Sequence, residues 1–200
     1  MNLVNYITFI PAILVAITFH EYAHGKTAAL LGDPTPGSQG RLTLNPLAHL
    51  DFLGTLMLLT VHFGWAKPVQ VNPVYFRGDR RKGLLLVSLS GPLMNLVLAY
   101  LAAFAWRLTP SSSPMLATFF AQLLWINVAL ALFNLIPVPP LDGSKILANL
   151  LPRSSAMFFY QLESYGPLIL LLLLVTGLVG KILAPAIDFT LEAITTLAGI

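Results

Sequence analysis

Five long apolar stretches, residues 3–31, 52–66, 84–106, 116–136 and 166–187, dominate this chain, and all but 52–66 are long enough to cross a bilayer. Inside hydrocarbon every backbone N–H and C=O must be satisfied within the protein, which leaves helices or closed barrels as spanning structures. Runs of this length and continuity select helices. The rest of the composition agrees: of 200 residues 56% are apolar and 10% charged, where a soluble domain carries roughly 25% charged residues. An ordinary water-soluble globule is excluded. The expected fold is an all-α polytopic membrane protein with about four full transmembrane helices, organised as a single domain over 1–200.

The loops refine this. Gly32-Asp33-Pro34-Thr35-Pro36-Gly37 stops the first helix, and Pro11 is a potential kink within it. The 52–66 stretch is too short for a confident span and ends at Lys67-Pro68, after which Val69-Gln70-Val71-Asn72-Pro73-Val74-Tyr75-Phe76 alternates like a strand. A short re-entrant or β-hairpin element is therefore expected after the first helix. If 52–66 does not cross, nine of the eleven Lys and Arg residues fall on one face: Lys26, Arg41, Lys67, Arg77, Arg80, Arg81, Lys82, Lys145 and Arg153. Only Arg107 and Lys181 fall on the other, and this bias marks the richer face as cytoplasmic. The Arg77–Lys82 cluster is a topology signal facing anionic lipid rather than a nucleic-acid footprint. The N-terminus has neither a basic n-region nor a small-residue cleavage site, and reads as a retained helix.

Chemistry concentrates at His20-Glu21-Tyr22-Ala23-His24. Imidazoles four residues apart on a helix share one face and can share one metal ion, with Glu21 beside them. Zinc accepts His nitrogens readily, and a carboxylate kept off the metal can take a proton from water and hand it to a leaving amine. With 4 His among 200 residues, H-E-x-x-H arises by chance in about one such chain per thousand. Ionisable groups in an apolar helix are also costly and usually mark function. With no cysteine in the chain, thiolate ligands and disulfides are excluded, and a third ligand must be another His or a carboxylate: His49, His62, Asp51 or Asp142. Asp142 follows Asn134-Leu135-Ile136-Pro137-Val138-Pro139-Pro140-Leu141, whose prolines end the preceding helix and can turn a carboxylate inward. Equally, it could cap the helix starting near Ser144.

The joint presence of His20-Glu21-x-x-His24, of Ser90-Gly91-Pro92-Leu93-Met94-Asn95 and of Asn134-x-x-Pro137-x-Pro139-Pro140-Leu141-Asp142-Gly143 resembles the site-2 protease family of intramembrane zinc metalloproteases. The likeness covers roughly 10–150 and includes Arg41–Pro46 and Gly64–Pro68. It implies that His20, His24 and Asp142 are zinc ligands, that Glu21 is the general acid/base, and that Asn95 lies near the scissile bond. There Asn95 would hold substrate backbone or the oxyanion, or instead make an interhelical hydrogen bond. The implied activity is hydrolysis of peptide bonds in or near transmembrane segments of membrane-tethered proteins, in a prokaryotic cell membrane with the site toward the cytoplasm. Segments weakened by Gly, Pro or Asn would be the substrates. Many family members add a PDZ or CBS module, for which this chain has no room. A metal-binding or metal-transporting protein without proteolytic activity, or a non-catalytic scaffold, would use the same apolar helices. Asp51 is placed to cap 52–66, His62 to pack in an apolar stretch, and Glu163, Asp188 and Glu192 to sit near helix ends at the interface; Met94 and Met115 signal packing alone.

Overall fold

A computed structural model describes residues 3–51, 54, 57, 66–152, 159 and 162–200. Its main elements are α1 (Leu3–Leu30), α2 (Thr35–Ser38), α3 (Arg80–Arg107), α4 (Pro114–Asn134), α5 (Asp142–Leu150), α6 (Gly166–Val175) and α7 (Leu178–Ala198), with short 3-10 turns at Pro46–Ala48, Pro73–Tyr75 and Glu163–Tyr165. Three helices, α1, α3 and α4, are each long and apolar enough to span a membrane, and they pack on one another. The protein is an all-α, multi-pass membrane protein. At 1.5 Å per residue, the 28 residues of α1 measure about 42 Å, enough for a hydrocarbon core of about 30 Å with room to tilt.

Lipid tails are as apolar as leucine, so helices in a bilayer associate through close packing rather than hydrophobic drive. The core shows how: Ala12, Ala16, Ala99, Ala103, Val128 and Ala131 are wholly buried. Ala12 with Ala16, and Ala99 with Ala103, place small residues one turn apart on α1 and α3, where backbones can approach. Leu86, Leu93, Val97, Leu101 and Phe104 of α3 stay exposed, as suits a face turned to lipid.

The last apolar run, 166–187, is not one straight helix. It breaks at Gly177, whose φ of 69° is left-handed, and its two parts meet at 76°, as a broken span or a re-entrant turn. Nor does 69–76 form a strand: among the described residues there is only an isolated antiparallel bridge, Leu50 to Ala66. The reason lies in where its N–H groups go. Pro68 and Pro73 have none, Val69 donates to the Glu21 carboxylate (2.9 Å) and Asn72 to that of Asp33 (2.7 Å). The segment stays extended and is bound to α1 and the turn after it, reinforced by Arg77 N–H on the Leu31 carbonyl (2.7 Å). Most of 52–66, with His62, lies outside the described residues.

Candidate metal centre

His20 and His24 lie on one face of α1, with ring centroids 4.6 Å apart and Nε2 atoms 3.0 Å apart. Asp142, distant in sequence, brings Oδ2 to 3.2 Å from His20 Nε2 and 3.0 Å from His24 Nε2. All three residues are buried, at 5%, 8% and 7% exposure. His24 precedes the end of α1 by six residues, about 9 Å, so the cluster sits inside a spanning helix rather than at its tip.

Local structure explains how Asp142 arrives. After α4 the chain folds back through Pro137–Pro140, with Val138 N–H on the Ile136 carbonyl (2.8 Å) and Leu141 N–H on that of Val138 (3.0 Å). Gly143 then passes so close to the Leu135 and Ile136 carbonyls that a Cβ would collide with both. The Asp142 side chain makes no cap; Leu141 is the N-cap residue of α5.

The hydrogen-bond partners on the far side of each ring decide what the cluster can bind. His24 Nδ1 donates to the Val87 carbonyl at 2.7 Å, and a carbonyl only accepts. His20 Nδ1 meets Asn95 Oδ1 at 2.6 Å. Both rings therefore carry a proton on Nδ1, and in the neutral imidazole each turns a bare Nε2 lone pair toward the Asp142 carboxylate oxygen. Three electron-rich atoms about 3 Å apart repel unless a cation lies between them. In a tetrahedral site with zinc–nitrogen distances of about 2.05 Å the ligand atoms stand roughly 3.3 Å apart, close to the separations here. Outer-sphere acceptors of this kind fix the ligating tautomer in zinc sites. The residues present fit zinc.

Gly91 of α3 provides the room, since a Cβ there would enter the space of His24 Nε2 and His20 Cε1. Glu21 is half-buried and does not join the cluster; its Oε2 is held by Val69 N–H. Asn95 is fully buried behind His20, with its two amide hydrogens on Ala16 O (3.1 Å) and Asn127 Oδ1 (2.7 Å). In this arrangement no donor of Asn95 is left to meet an oxyanion, and the geometry is that of the interhelical alternative. Asn127 was not singled out by the sequence motifs, although an amide in an apolar helix is itself a signal. The Val87 carbonyl, being backbone, has no signal in sequence.

The other sequence candidates lie elsewhere. His49 is fully buried, with Nε2 donating to the Thr43 carbonyl at 2.9 Å. Asp51 accepts from Gly54 N–H at 2.8 Å, the capping geometry expected of it. Glu163, Asp188 and Glu192 are exposed.

The sequence profile of peptidase family M50 matches residues 110–176, which include the Pro137–Gly143 turn and Asp142. The chain is 40% identical over 193 residues to "Putative zinc metalloprotease YwhC" of Bacillus subtilis (strain 168), covering 92% of this chain and 88% of that protein. Rip2 of Mycolicibacterium smegmatis (strain ATCC 700084 / mc(2)155), which bears the same zinc metalloprotease designation, is 31% identical over 184 residues, 88% of this chain and 70% of Rip2. Rip2 of Mycobacterium tuberculosis (strain ATCC 25618 / H37Rv) is 34% identical over 151 residues, 71% of this chain and 56% of that protein. No solved structure gives a significant match. With a metal-ready His-His-Asp cluster on spanning helices and 40% identity across nearly its full length, the chain belongs to peptidase family M50, the family of the site-2 proteases.

Proposed function

We propose that this chain, a multi-pass zinc metalloprotease of family M50, hydrolyses peptide bonds in or near the transmembrane segments of membrane-tethered proteins. The observation that supports this most directly is the buried convergence of His20 Nε2, His24 Nε2 and Asp142 Oδ2 within the span of α1. These three side chains would hold the ion. Zinc, when bound, supplies a Lewis acid for the scissile carbonyl and lowers the pKa of water. Glu21 does the proton work: its carboxylate takes a proton as the water oxygen adds to the carbonyl carbon, then returns it to the amine nitrogen as the C–N bond breaks. Val69 N–H holds one carboxylate oxygen and so orients the group. Asn95 and the Val87 carbonyl keep the two imidazoles in the ligating tautomer.

A helical substrate hides its carbonyls in its own hydrogen bonds, so it must unwind before it can react, and segments containing Gly, Pro or Asn are the expected substrates. The nine-to-two distribution of basic residues supports a cell-membrane enzyme with its site toward the cytoplasm.

Glu21→Gln tests the assignment. The variant keeps its zinc, and cleavage of a membrane-tethered reporter with Gly and Pro in its transmembrane segment falls by about 10²–10⁴-fold. Undiminished cleavage would remove Glu21 from the proton-transfer role. A metal carrier with no peptidase activity would leave the reporter intact in the wild type as well.

A further inference from the structure

Two fully buried asparagines, Asn95 on α3 and Asn127 on α4, link His20 to a helix that contributes no side chain to the metal cluster. The link has a direction. Asn127 Nδ2 donates to the Leu123 carbonyl, one turn back on its own helix, at 2.8 Å. Since that carbonyl only accepts, Asn127 must face Asn95 with its oxygen. Asn95 answers with Nδ2, whose two hydrogens go to Asn127 Oδ1 at 2.7 Å and to the Ala16 carbonyl at 3.1 Å. Only its oxygen is then left for His20 Nδ1, 2.6 Å away. Turning the Asn95 amide over would set its oxygen against two others and its NH2 against His20 Nδ1, forcing the imidazole proton onto Nε2, where it blocks a metal.

We infer that Asn127 is a positioning residue of the metal centre: by fixing the amide of Asn95 it fixes the metal-accepting tautomer of His20. This rests on His20, His24 and Asp142 being the ligands. An asparagine pair that only clamped α3 to α4 would need no such polarity; here both ends of the relay are set by backbone carbonyls, Leu123 on one side and Ala16 on the other.

The test uses the full chain in detergent, as wild type and as Asn127→Asp, Asn127→Leu and Asn127→Thr, with two readouts. One is the His20 tautomer in metal-free protein, from ¹⁵N-histidine NMR; the other is zinc affinity, from competition with a chelator. A neutral Asp keeps both a donor for Leu123 and an acceptor for Asn95. Leu has neither, and Thr can bond its own helix carbonyl but ends short of Asn95. Wild type and Asn127→Asp should show the Nδ1–H tautomer and zinc affinities within about threefold of each other. Asn127→Leu and Asn127→Thr should show mixed tautomers and roughly tenfold weaker zinc, the low end of the effect of outer-sphere partners. Should Asn127→Leu not fold, Asn127→Thr decides. A folded Leu or Thr variant with wild-type tautomer and affinity overturns the proposal, as does Asn127→Asp losing as much as Asn127→Leu. If the wild type itself takes no zinc, the metalloprotease reading fails, and the tautomer comparison still decides the relay.

Discussion

A metal centre inside a spanning helix makes stringent demands on single residues, and Gly91 shows how local they are. Its missing side chain is the space into which His20 and His24 turn, so Gly91→Ala must move two rings whose far nitrogens are already fixed by Asn95 and Val87. Overpacking of this kind costs about 1–3 kcal/mol, and zinc affinity should fall at least tenfold in a chelator competition. Gly180→Ala on α7 is the control: nothing lies within 4 Å of its added Cβ, and alanine suits a helix better than glycine, so affinity and thermal midpoint should hold or rise. Equal losses in both variants would mean that the effect comes from helix backbone and not from the crowding of the imidazoles. The His20–Glu21–His24 core of the site was legible in sequence because its signal is local, two ligands one turn apart with a carboxylate between. Asn127 was not, since its meaning depends on a partner 32 residues earlier.

Among the elements, the long helices follow from run length alone, and α1, α3 and α4 appear where continuous apolar sequence demanded them. One expectation gave way to contacts that no local pattern records. The alternation of 69–76 suits a strand, yet its backbone donors are claimed by carboxylates on residues 21 and 33. The apolar run 166–187 is helical on both sides of Gly177, and the structure adds the left-handed turn there that divides it. Asp33 is the clearest point at which to test the packing of the extended segment. It is 1% exposed and accepts from Thr35 N–H (2.9 Å) and Asn72 N–H (2.7 Å), so it ties 67–72 to the end of α1. Asp33→Ala leaves two part-buried donors unmet and should destabilise the fold by about 1–2 kcal/mol, with faster limited proteolysis between 67 and 77. Unchanged proteolysis there would show that Glu21 and Arg77 suffice to hold the segment.

At the scale of the whole molecule, the site exists only because three crossings bring sequence-distant ends to the same depth. α1 carries the histidines toward one face, α3 leaves from that face at Arg80, and α4 returns to it before Asp142. The chain contains no cysteine, so single cysteines placed at exposed positions report sidedness without background. Cysteines replacing Arg80 and Lys145 should react with an impermeant thiol reagent from the cytoplasmic side, and one replacing Ser112, in the loop between α3 and α4, from the opposite side. Labelling of residues 80 and 145 from opposite sides would break the parity on which a joint His-Asp site depends.

The central claim is that His20, His24 and Asp142 together hold one zinc ion, and metal content reads it most directly. Zinc per chain, measured on detergent-purified wild type and on Asp142→Ala, should be about one and well below one respectively, because losing one of three protein ligands exceeds the 10–100-fold loss typical of an outer-sphere partner. Full zinc occupancy and unchanged affinity in Asp142→Ala would contradict the account, since the ion would then be held by a different set of residues.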